Sequence, residues 1–488
     1  MVPIFNQNHV SIFHATTPKH FTLLSNLLLS KLSHFLSLFT ITIATSFEAL
    51  LLLQNKQLMF HFLLLCFLLL CFLVKHFLSK RSHVYIVDFS CFKPPNYCRV
   101  PFSTFLENAS LFQCFDRESI SFMEKILDSS GQSQQTCLPP SLHYIPPKTQ
   151  NSESIKEVQM VLFPIMNDLF AKTKISPFEI DMLILNCSGF CSSPSLTSIV
   201  VNKYPFRSDI KSYNLSGMGC SASAISIDLA HNLLKVHKNS NVIVLSTEIL
   251  STGWYSGNEK PKLLINCLFR MGSAAILLSN KKEASESSKY RLIRTLRTQR
   301  AFDDKAYFSA IREEDSDGKL GVTLKRDLLH VAAETLGSNV SILGGEMLPI
   351  YEKFWYGVSV IRKRFMKFEE IYVPDFKSVI EHFCLPCSGK GVIREVGKGL
   401  KLGEREIECA LMTLHRFGNQ SSSSLWYELA YLEAKERVKK GDNIWLLGMG
   451  SGPKCCSVVL KCIRPIIGDS HMGPWADCVH QYPILTLN

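Results

Sequence analysis

A glycine-rich turn that carries a cysteine constrains the fold of this chain most. The turn, Asn214-Leu-Ser-Gly-Met-Gly-Cys220-Ser-Ala-Ser, leads into a segment, Ser221–Val236, whose apolar spacing predicts a helix. Gly217 and Gly219 free the backbone for a sharp bend between a strand and this helix. The unpaired amides and the dipole of a helix start favour negative charge, so we expect a lowered thiol pKa at Cys220. The pattern predicts a nucleophilic cysteine.

Two other interpretations compete with the nucleophile. Gly217-Met-Gly-Cys-Ser-Ala222 also fits the G-x-G-x-x-A pattern of a dinucleotide-binding turn, which needs a carboxylate about twenty residues onward. The candidates Asp228 and Glu248 lie inside the predicted helix and at the end of the next apolar run, so a nicotinamide fold is disfavoured. The second alternative is a buried, inert cysteine, which is the usual state of a free cysteine. The glycine turn favours the nucleophile.

The composition fits one large catalytic body with a membrane anchor. The chain has 488 residues, 46% hydrophobic and 19% charged, and the N-terminus raises the hydrophobic share. Its 17 cysteines are scattered through apolar runs, which indicates reduced thiols rather than a disulfide framework. The net charge of +11 is modest, and the basic clusters Arg291–Arg300 and Ile361–Lys367 accompany no nucleic-acid-binding motif. Nucleic acid is therefore not expected as a partner.

The N-terminal region carries the membrane prediction. The uncharged run Leu58–Val74, with its flanks, approaches the roughly 20 residues that a bilayer requires, and predicts a transmembrane helix. A second candidate, about His34–Leu53, contains Glu48 and either spans the bilayer or lies at its interface. Two spans would form a hairpin, and the basic residues from Lys75 to Arg81 would hold the following domain in the cytosol.

Beyond the anchor, short strand-like runs alternate with helical patterns, which predicts α/β layering. Predicted strands lie at Met182–Leu185, Val242–Ser246 and Ala274–Leu278. The alternation recurs late in the chain, where a helix at about Ser424–Lys439 leads into a strand at Ile444–Leu447. This recurrence suggests two similar halves, although no internal sequence repeat is visible.

Four longer motifs point to one family. They are Asn214-Leu-Ser-Gly-Met-Gly-Cys-Ser-Ala, Asn266-Cys-Leu-Phe-Arg-Met-Gly, Thr413-Leu-His-Arg-Phe-Gly-Asn-Gln-Ser-Ser-Ser-Ser424 and Trp426-Tyr-Glu-Leu-Ala. In these motifs the chain resembles the plant 3-ketoacyl-CoA synthases, and the resemblance runs from the membrane segment to about Cys462.

The resemblance implies a thiolase-like layered αβαβα fold of two similar halves, preceded by the N-terminal transmembrane helical hairpin. The corresponding division is a membrane anchor at 1–81, condensing-enzyme halves at 82–375 and 376–465, and a C-terminal tail at 466–488. The implied activity is the condensing step of very-long-chain fatty acid elongation, with acyl-CoA and malonyl-CoA as substrates and no metal or redox cofactor. The implied setting is a homodimer in the endoplasmic reticulum membrane, with its catalytic domain facing the cytosol and other elongase subunits as partners.

The family pattern assigns catalytic residues by position. Cys220 matches the nucleophile, and Asn419 matches the amide donor in the Gly-Asn-x-Ser-Ser turn. His415 matches the histidine four residues before that asparagine, and His382 matches the first histidine of a His-Phe-Cys-Ile-His-Ala-Gly-Gly segment. Donors of this kind stabilise the negative charge that develops on thioester oxygens.

Two family histidines are replaced in this chain. The second histidine of the same segment falls on Pro386, which has no donor, and a further one falls on Gln299, which cannot relay a proton near neutral pH. Either His382 or His415 takes over the missing role and the chain remains an acyltransferase, or condensation is impaired and the chain acts as a partner of active elongase subunits. We place the enzyme first, since the four matched residues persist.

Three further features have more than one interpretation. Cys384-Leu-Pro-Cys387 has the spacing of a redox motif or of half a zinc site, but the sequence shows no second C-x-x-C, and a reduced, packed pair is the default expectation. The loop Gly448-Met-Gly-Ser-Gly452 resembles a family loop that closes over the nucleophile. The aromatic stripe Phe354–Phe368 either borders an acyl tunnel or is core or membrane-facing surface.

Overall fold

The computed structural model describes residues 42–46, 58–78, 83–366, 372–466, 468 and 473–484. The described residues from 42 to 83 belong to a small N-terminal unit, and those from Val84 onward belong to a large unit. Each unit is considered by itself.

The N-terminal unit contains helix α1, Leu58–Leu78, which covers the first predicted span. Within the described residues, no helix is both long and apolar enough to cross a membrane. The second candidate span lies outside the described residues, apart from a helical turn at 42–46. The predicted hairpin is therefore not confirmed and stays a prediction.

The large unit is organised around a mixed nine-stranded sheet with the order β3-β2-β4-β5-β1-β6-β11-β10-β9. A separate two-stranded sheet pairs β7 with β8. The strands are β1 Tyr85–Cys91, β2 Met182–Asn186, β3 Lys211–Leu215, β4 Asn241–Thr247, β5 Ser273–Ser279, β6 Tyr290–Gln299, β7 Ala310–Glu314, β8 Leu320–Leu324, β9 His382–Cys384, β10 Asn443–Gly450 and β11 Lys454–Cys462. The strands predicted at the positions of β2, β4, β5 and β10 are confirmed.

Helices cover the sheet and connect its strands. They are α2 Phe102–Leu111, α3 Arg117–Ser129, α4 Asn151–Thr173, α5 Leu196–Lys203, α6 Ala222–Val236, α7 Lys260–Leu268, α8 Ala284–Ser287, α9 Asp304–Tyr307, α10 Leu328–Met347, α11 Ile350–Met366, α12 Lys390–Gly399, α13 Glu404–Phe417 and α14 Ser424–Ala434. Local sequence explains several helix starts: for example, the side chain of Asp116 accepts a hydrogen bond from the backbone N–H of Ser119 and caps α3.

The strand pairing repeats along the sheet. In the first set, β5 pairs antiparallel with both β1 and β4, and β4 pairs parallel with β2. In the second set, β11 pairs antiparallel with both β6 and β10, and β10 pairs parallel with β9. The predicted two similar halves are thus visible in the topology. Strand β6 groups with the second set although it precedes residue 375, and the predicted domain boundaries stay a prediction.

Two helices link these halves: α14 is buried along its whole length, and α6 is buried in its N-terminal part. Each begins directly after a short 3₁₀ turn, Gly219–Ser221 before α6 and Ser421–Ser423 before α14. Every residue of α14 is buried, and the helix packs against α13, β1, β9 and β10. The indole N–H of Trp426 on α14 donates to the Ser223 hydroxyl on α6, at 2.7 Å. The two helices therefore bring the turns at their N-terminal ends close together.

The segment after residue 473 packs into this body. Trp475 is fully buried, and its indole N–H donates to the backbone carbonyl of Tyr427 on α14 at 2.9 Å. Its ring contacts Phe417 edge-on, with 4.9 Å between centroids. The described part of the predicted tail therefore contributes to the core beside α14.

Candidate active site

Cys220 lies in the turn between β3 and α6, as the sequence predicts. Gly217 and Gly219 have φ values of +68° and +59°, which L side chains rarely adopt. A Cβ at Gly219 would lie 2.4 Å from the backbone nitrogen of Ser451, so the glycine loop between β10 and β11 packs directly on the turn. The loop therefore lies against the turn that carries Cys220, while its predicted closure over the thiol stays a prediction.

The environment of the Cys220 thiol differs from the prediction. The side chain is only partly exposed, and burial raises the pKa of its thiol to about 11. A hydrogen bond from Ser421 lowers that pKa, and the nearby Glu248 carboxylate raises it further. The expectation of a lowered thiol pKa is therefore wrong, because desolvation outweighs the helix start. The nucleophile has to lose its proton to an acceptor during the reaction.

Ser421 connects the thiol to two other polar groups. Its Oγ lies 3.4 Å from Cys220 Sγ and 3.0 Å from Glu248 Oε2, so one hydroxyl hydrogen has two acceptors. Its backbone N–H donates to Asn419 Oδ1 at 2.8 Å. The structure thus brings Cys220 and Asn419 to the same serine, which was not singled out from the sequence.

Asn419 is held as a potential donor. It is buried, and its side-chain oxygen is occupied by the Ser421 N–H. Among the described residues, none accepts a hydrogen bond from its side-chain nitrogen. Because the oxygen is engaged and the nitrogen is not, the amide can donate to a substrate oxygen near Cys220.

The backbone around Asn419 is fixed by a second sequence motif. The N–H of Asn419 donates to the carbonyl of Leu268, and the N–H of Arg270 donates to the carbonyl of Asn419 at 2.9 Å. The Arg270 guanidinium is buried and donates to Thr136 Oγ1 and to the carbonyl of Phe269. Burial lowers the pKa of Arg270 to about 10, so it stays charged at neutral pH. The arginine therefore supports the turn rather than the reacting atoms.

Glu248 is the titratable residue that sequence reasoning missed. From the sequence, Glu248 is a candidate only for the carboxylate of a dinucleotide-binding turn. In the structure it accepts a hydrogen bond from the backbone N–H of Gly189 at 2.7 Å and lies 3.6 Å from Cys187 Sγ. Burial raises the pKa of its carboxyl group. A carboxyl group of raised pKa, linked to the thiol through one hydroxyl, is a candidate proton acceptor.

The two predicted histidines have other contacts. His382 Nε2 lies 2.9 Å from Asp442 Oδ2, and the residue pairs with Ile444 at the start of β10. The Cys220 turn contacts Gly450 at the far end of β10, about 20 Å along an extended strand of that length. His415 Nδ1 lies 3.1 Å from the Tyr482 hydroxyl oxygen, and burial lowers the pKa of its ring. Among the described residues, neither histidine forms a hydrogen bond with Cys220, and the catalytic roles of both stay predictions.

The replaced positions are also located. Pro386 is buried just after β9, and its carbonyl accepts from the N–H of Ser388 at 2.8 Å. Gln299 is exposed at the end of β6, opposite Lys454 of β11. Among the described residues, neither side chain forms a hydrogen bond with Cys220.

Comparisons with known proteins identify the family of the chain. The chain matches the FAE1/Type III polyketide synthase-like protein family over residues 76–365. It also matches the C-terminal part of 3-oxoacyl-[acyl-carrier-protein] synthase III over residues 377–462.

Curated relatives come from Arabidopsis thaliana. The chain is 49% identical to 3-ketoacyl-CoA synthase 5 over 83% of both chains. It is 41% identical to 3-ketoacyl-CoA synthase 4 over 99% of this chain and 94% of the relative.

Solved structures share the fold at low identity. A fungal type III polyketide synthase, ORAS, aligns with a TM-score of 0.61 and 14% identity over 78% of this chain and 99% of its own. Tetrahydroxynaphthalene synthase from Streptomyces coelicolor A3(2) aligns at 0.58 and 16% over 78% and 99%. The fold is therefore of the thiolase-like type found in type III polyketide synthases. Condensing enzymes of this type act on CoA thioesters and need no cofactor.

Proposed function

The chain belongs to the 3-ketoacyl-CoA synthase family, the condensing enzymes of fatty acid elongation, and we propose that it joins malonyl-CoA to a long-chain acyl-CoA through an acyl-Cys220 intermediate. The observation that carries this proposal is the link from Cys220 through Ser421 to Asn419. It supports a nucleophile and an amide donor that two neighbouring turns bring to the same serine.

In the first half-reaction, Cys220 Sγ attacks the thioester carbonyl carbon of the acyl-CoA. A C–S bond forms to the enzyme, the C–S bond to CoA breaks, and CoA leaves as a thiol after it gains a proton. The amide of Asn419 donates to the carbonyl oxygen while that oxygen carries negative charge, an interaction of the kind whose loss costs about 100- to 1000-fold in rate.

The thiol proton needs an acceptor, because the pKa of Cys220 lies well above neutral. Glu248 is the titratable group linked to Sγ through the Ser421 hydroxyl. Proton transfer from the thiol to Ser421, and from Ser421 to Glu248, would produce the thiolate without a histidine. This route supports activity despite Pro386.

In the second half-reaction, malonyl-CoA loses carbon dioxide and its α-carbon attacks the acyl-enzyme as an enolate. A C–C bond forms, the bond to Cys220 Sγ breaks, and the thiolate is restored. The balance is acyl-CoA plus malonyl-CoA plus one proton, giving 3-ketoacyl-CoA, carbon dioxide and CoA. Charge on the enolate oxygen requires a donor, which is the role that Pro386 cannot fill.

A second function remains a competing proposal because of this residue. If no donor replaces the missing histidine, acylation would persist while decarboxylation fails, and the chain would act as a partner of active elongase subunits. The buried proline just after β9 is the observation that favours it.

One experiment separates the two proposals. Microsomes that contain the chain are given labelled long-chain acyl-CoA and malonyl-CoA, and acyl label at Cys220 and released carbon dioxide are measured in parallel. Label with carbon dioxide supports the condensing enzyme, whereas label without carbon dioxide supports the partner. The variant Pro386→His is the control, since a large gain in carbon dioxide release would identify the missing donor as the defect.

The membrane setting is likewise proposed. We infer an endoplasmic reticulum membrane protein, with its catalytic body on the cytosolic side and a homodimeric assembly. Helix α11 supports a membrane-facing surface, because Ile350, Phe354 and Trp355 are 80%, 62% and 51% exposed, and basic residues follow at Arg362 and Lys363. Protease protection of intact microsomes tests the orientation: the body should be digested without detergent, and protection would contradict it.

A further inference from the structure

Three cysteines and one glutamate meet in the interior, away from the Cys220 turn. They are Cys384 at the end of β9, Cys387 in the loop that follows, Cys409 on α13 and Glu428 on α14. All are at most 4% exposed, and Glu428 is fully buried. Four separate segments of the second half therefore send polar side chains to one enclosed point.

Three of these four side chains have ligand atoms close enough to share a metal ion. One ligand atom from each of Cys384, Cys409 and Glu428 lies within 4.8 Å of the other two. Cys409 Sγ lies 3.8 Å from Glu428 Oε2, and Cys387 Sγ lies 3.2 Å from Glu428 Oε1. Zinc–sulfur bonds of about 2.3 Å and zinc–oxygen bonds of about 2.0–2.2 Å place tetrahedral ligand atoms about 3.5–3.8 Å apart. Cys387 lies outside this group of three, so its side chain would have to move inward to supply a fourth ligand.

The Glu428 carboxylate has no basic side chain as an ion-pair partner among the described residues. Glu428 accepts from the backbone N–H of Leu385 at 2.7 Å, and its other recorded partners are the thiols of Cys387 and Cys409. No described lysine, arginine or histidine forms an ion pair with it. A buried carboxylate without a cation is costly, so the pocket favours either a neutral carboxyl group or a bound cation.

We propose that Cys384, Cys387, Cys409 and Glu428 bind a structural zinc ion. Thiolate ligands select a soft or borderline cation, and a closed set of four protein ligands is the pattern of structural zinc rather than of a catalytic ion. Binding releases the thiol protons, because the thiolate is the ligand. The ion would tie β9 and the loop at Pro386 to α13 and α14. It is independent of the condensing reaction.

The sequence alone could not assemble this site. The C-x-x-C spacing supplies half of it, but Cys409 and Glu428 lie 22 and 41 residues beyond Cys387 and have no motif of their own. They are adjacent only because α13 and α14 pack beside β9.

The test is the zinc content of the full-length chain, purified in detergent without chelator. We expect about one zinc per chain in the wild type and at least about a tenfold loss in Cys409→Ala. The matched control is Cys456→Ala, which removes an equally buried thiol outside the cluster and should keep its zinc. A wild type without zinc overturns the proposal. Equal zinc in Cys409→Ala also overturns it, since the metal would then be an adventitious ion only.

A second measurement covers the case in which Cys409→Ala does not fold. Wild-type chain refolded with cobalt should show thiolate-to-cobalt charge-transfer bands and the visible bands of tetrahedral cobalt, and Glu428→Gln should weaken cobalt retention. A spectrum without charge-transfer bands, or a disulfide within the cluster in the intact protein, contradicts the site.

Discussion

The two halves of the large unit share one plan but differ at the turn that precedes each buried helix. In the first half the turn is rich in glycine and presents the Cys220 thiol. In the second half the turn is rich in serine and presents the Asn419 amide and the Ser421 hydroxyl, with Ser421 at a φ of +55°. The same architecture thus presents a thiol from one half and hydrogen-bonding groups from the other, so the proposed reaction centre needs both halves.

The two halves also differ in how they bury a carboxylate beside thiols. Glu248 in the first half is connected to Cys220 through one hydroxyl and to a backbone N–H at Gly189. Glu428 in the second half faces Cys387 and Cys409 with no hydroxyl between them. Burial raises the pKa of both carboxyl groups. In our proposals, the buried carboxyl group of Glu248 therefore accepts a proton, whereas that of Glu428 binds a metal ion.

Loss of the nucleophile from the first half should have the largest effect. We expect Cys220→Ala to abolish acyl labelling and to lower condensation by more than about 10,000-fold, as for other covalent nucleophiles. The matched control is Cys267→Ala, since Cys267 is fully buried on α7 and outside the site. Residual acyl label on Cys220→Ala would place the intermediate on another thiol.

Loss of the donor from the second half should come next. We expect Asn419→Ala to lower condensation by about 100- to 1000-fold through kcat. Asn419→Asp keeps the oxygen that accepts from the Ser421 N–H but removes the N–H donor. If the donor is what matters, both variants lose activity alike. Activity retained in Asn419→Asp would show that the residue acts only by fixing the turn.

Added methyl groups should test how tightly each turn is packed. Gly219→Ala should lower the unfolding free energy by more than about 2 kcal/mol, because its Cβ meets backbone at Ser451 and its φ is +59°. Gly418→Ala should behave alike, since its Cβ would lie 2.4 Å from Arg270 Cγ. Gly217→Ala is the control: its φ is +68° but nothing lies within 4 Å, so about 1 kcal/mol is expected. Denaturant unfolding measures all three, and equal losses would contradict the packing argument.

Replacing Glu248 and replacing Ser421 should change the alkylation rate of Cys220 in opposite directions. The thiolate is the reactive form and is populated as the pH rises toward the raised pKa of about 11. Glu248→Gln removes a charge that raises this pKa, so Cys220 should be alkylated severalfold faster near neutral pH. Ser421→Ala removes a hydrogen bond that lowers it, so alkylation should be slower. Rate–pH profiles that shift in the same direction for both variants would refute this arrangement.

The smallest effect concerns an unsatisfied side chain in the second turn. Both polar side-chain atoms of Gln420 are buried without a hydrogen-bond partner among the described residues, and the side chain packs on Gly272. Gln420→Leu keeps the volume and removes the uncompensated polar atoms, so we expect a gain of about 1 kcal/mol in unfolding free energy. A loss of stability would indicate an ordered water at this position.

Much of the fold can be predicted from the sequence, because strands and helices have characteristic local spacings of apolar residues. The runs that became β2, β4 and β5 are mostly apolar and fully buried, and the helix after Cys220 follows its apolar spacing. The equivalence of the halves is less visible, since it lies in strand pairing rather than in repeated residues.

The site can be predicted only in part from the sequence, because its contacts join residues that are distant along the chain. The position of Cys220 follows from local turn chemistry, but its pKa depends on burial by elements that are distant in sequence. Glu248 and Ser421 are 173 residues apart in sequence, and neither lies in a motif that predicts their hydrogen bond. The histidines were chosen by family position, whereas their contacts with Asp442 and Tyr482 depend on how β9 and α13 pack.

The shared hydrogen of Ser421 has a consequence for the order of events. While the sulfur of Cys220 is free, it competes with the Glu248 carboxylate for this hydrogen. Once the sulfur carries an acyl chain it becomes a poor acceptor, and the hydroxyl turns wholly to the carboxylate. In the proposed mechanism, acylation of Cys220 would therefore change a hydrogen bond between the two halves before malonyl-CoA reacts.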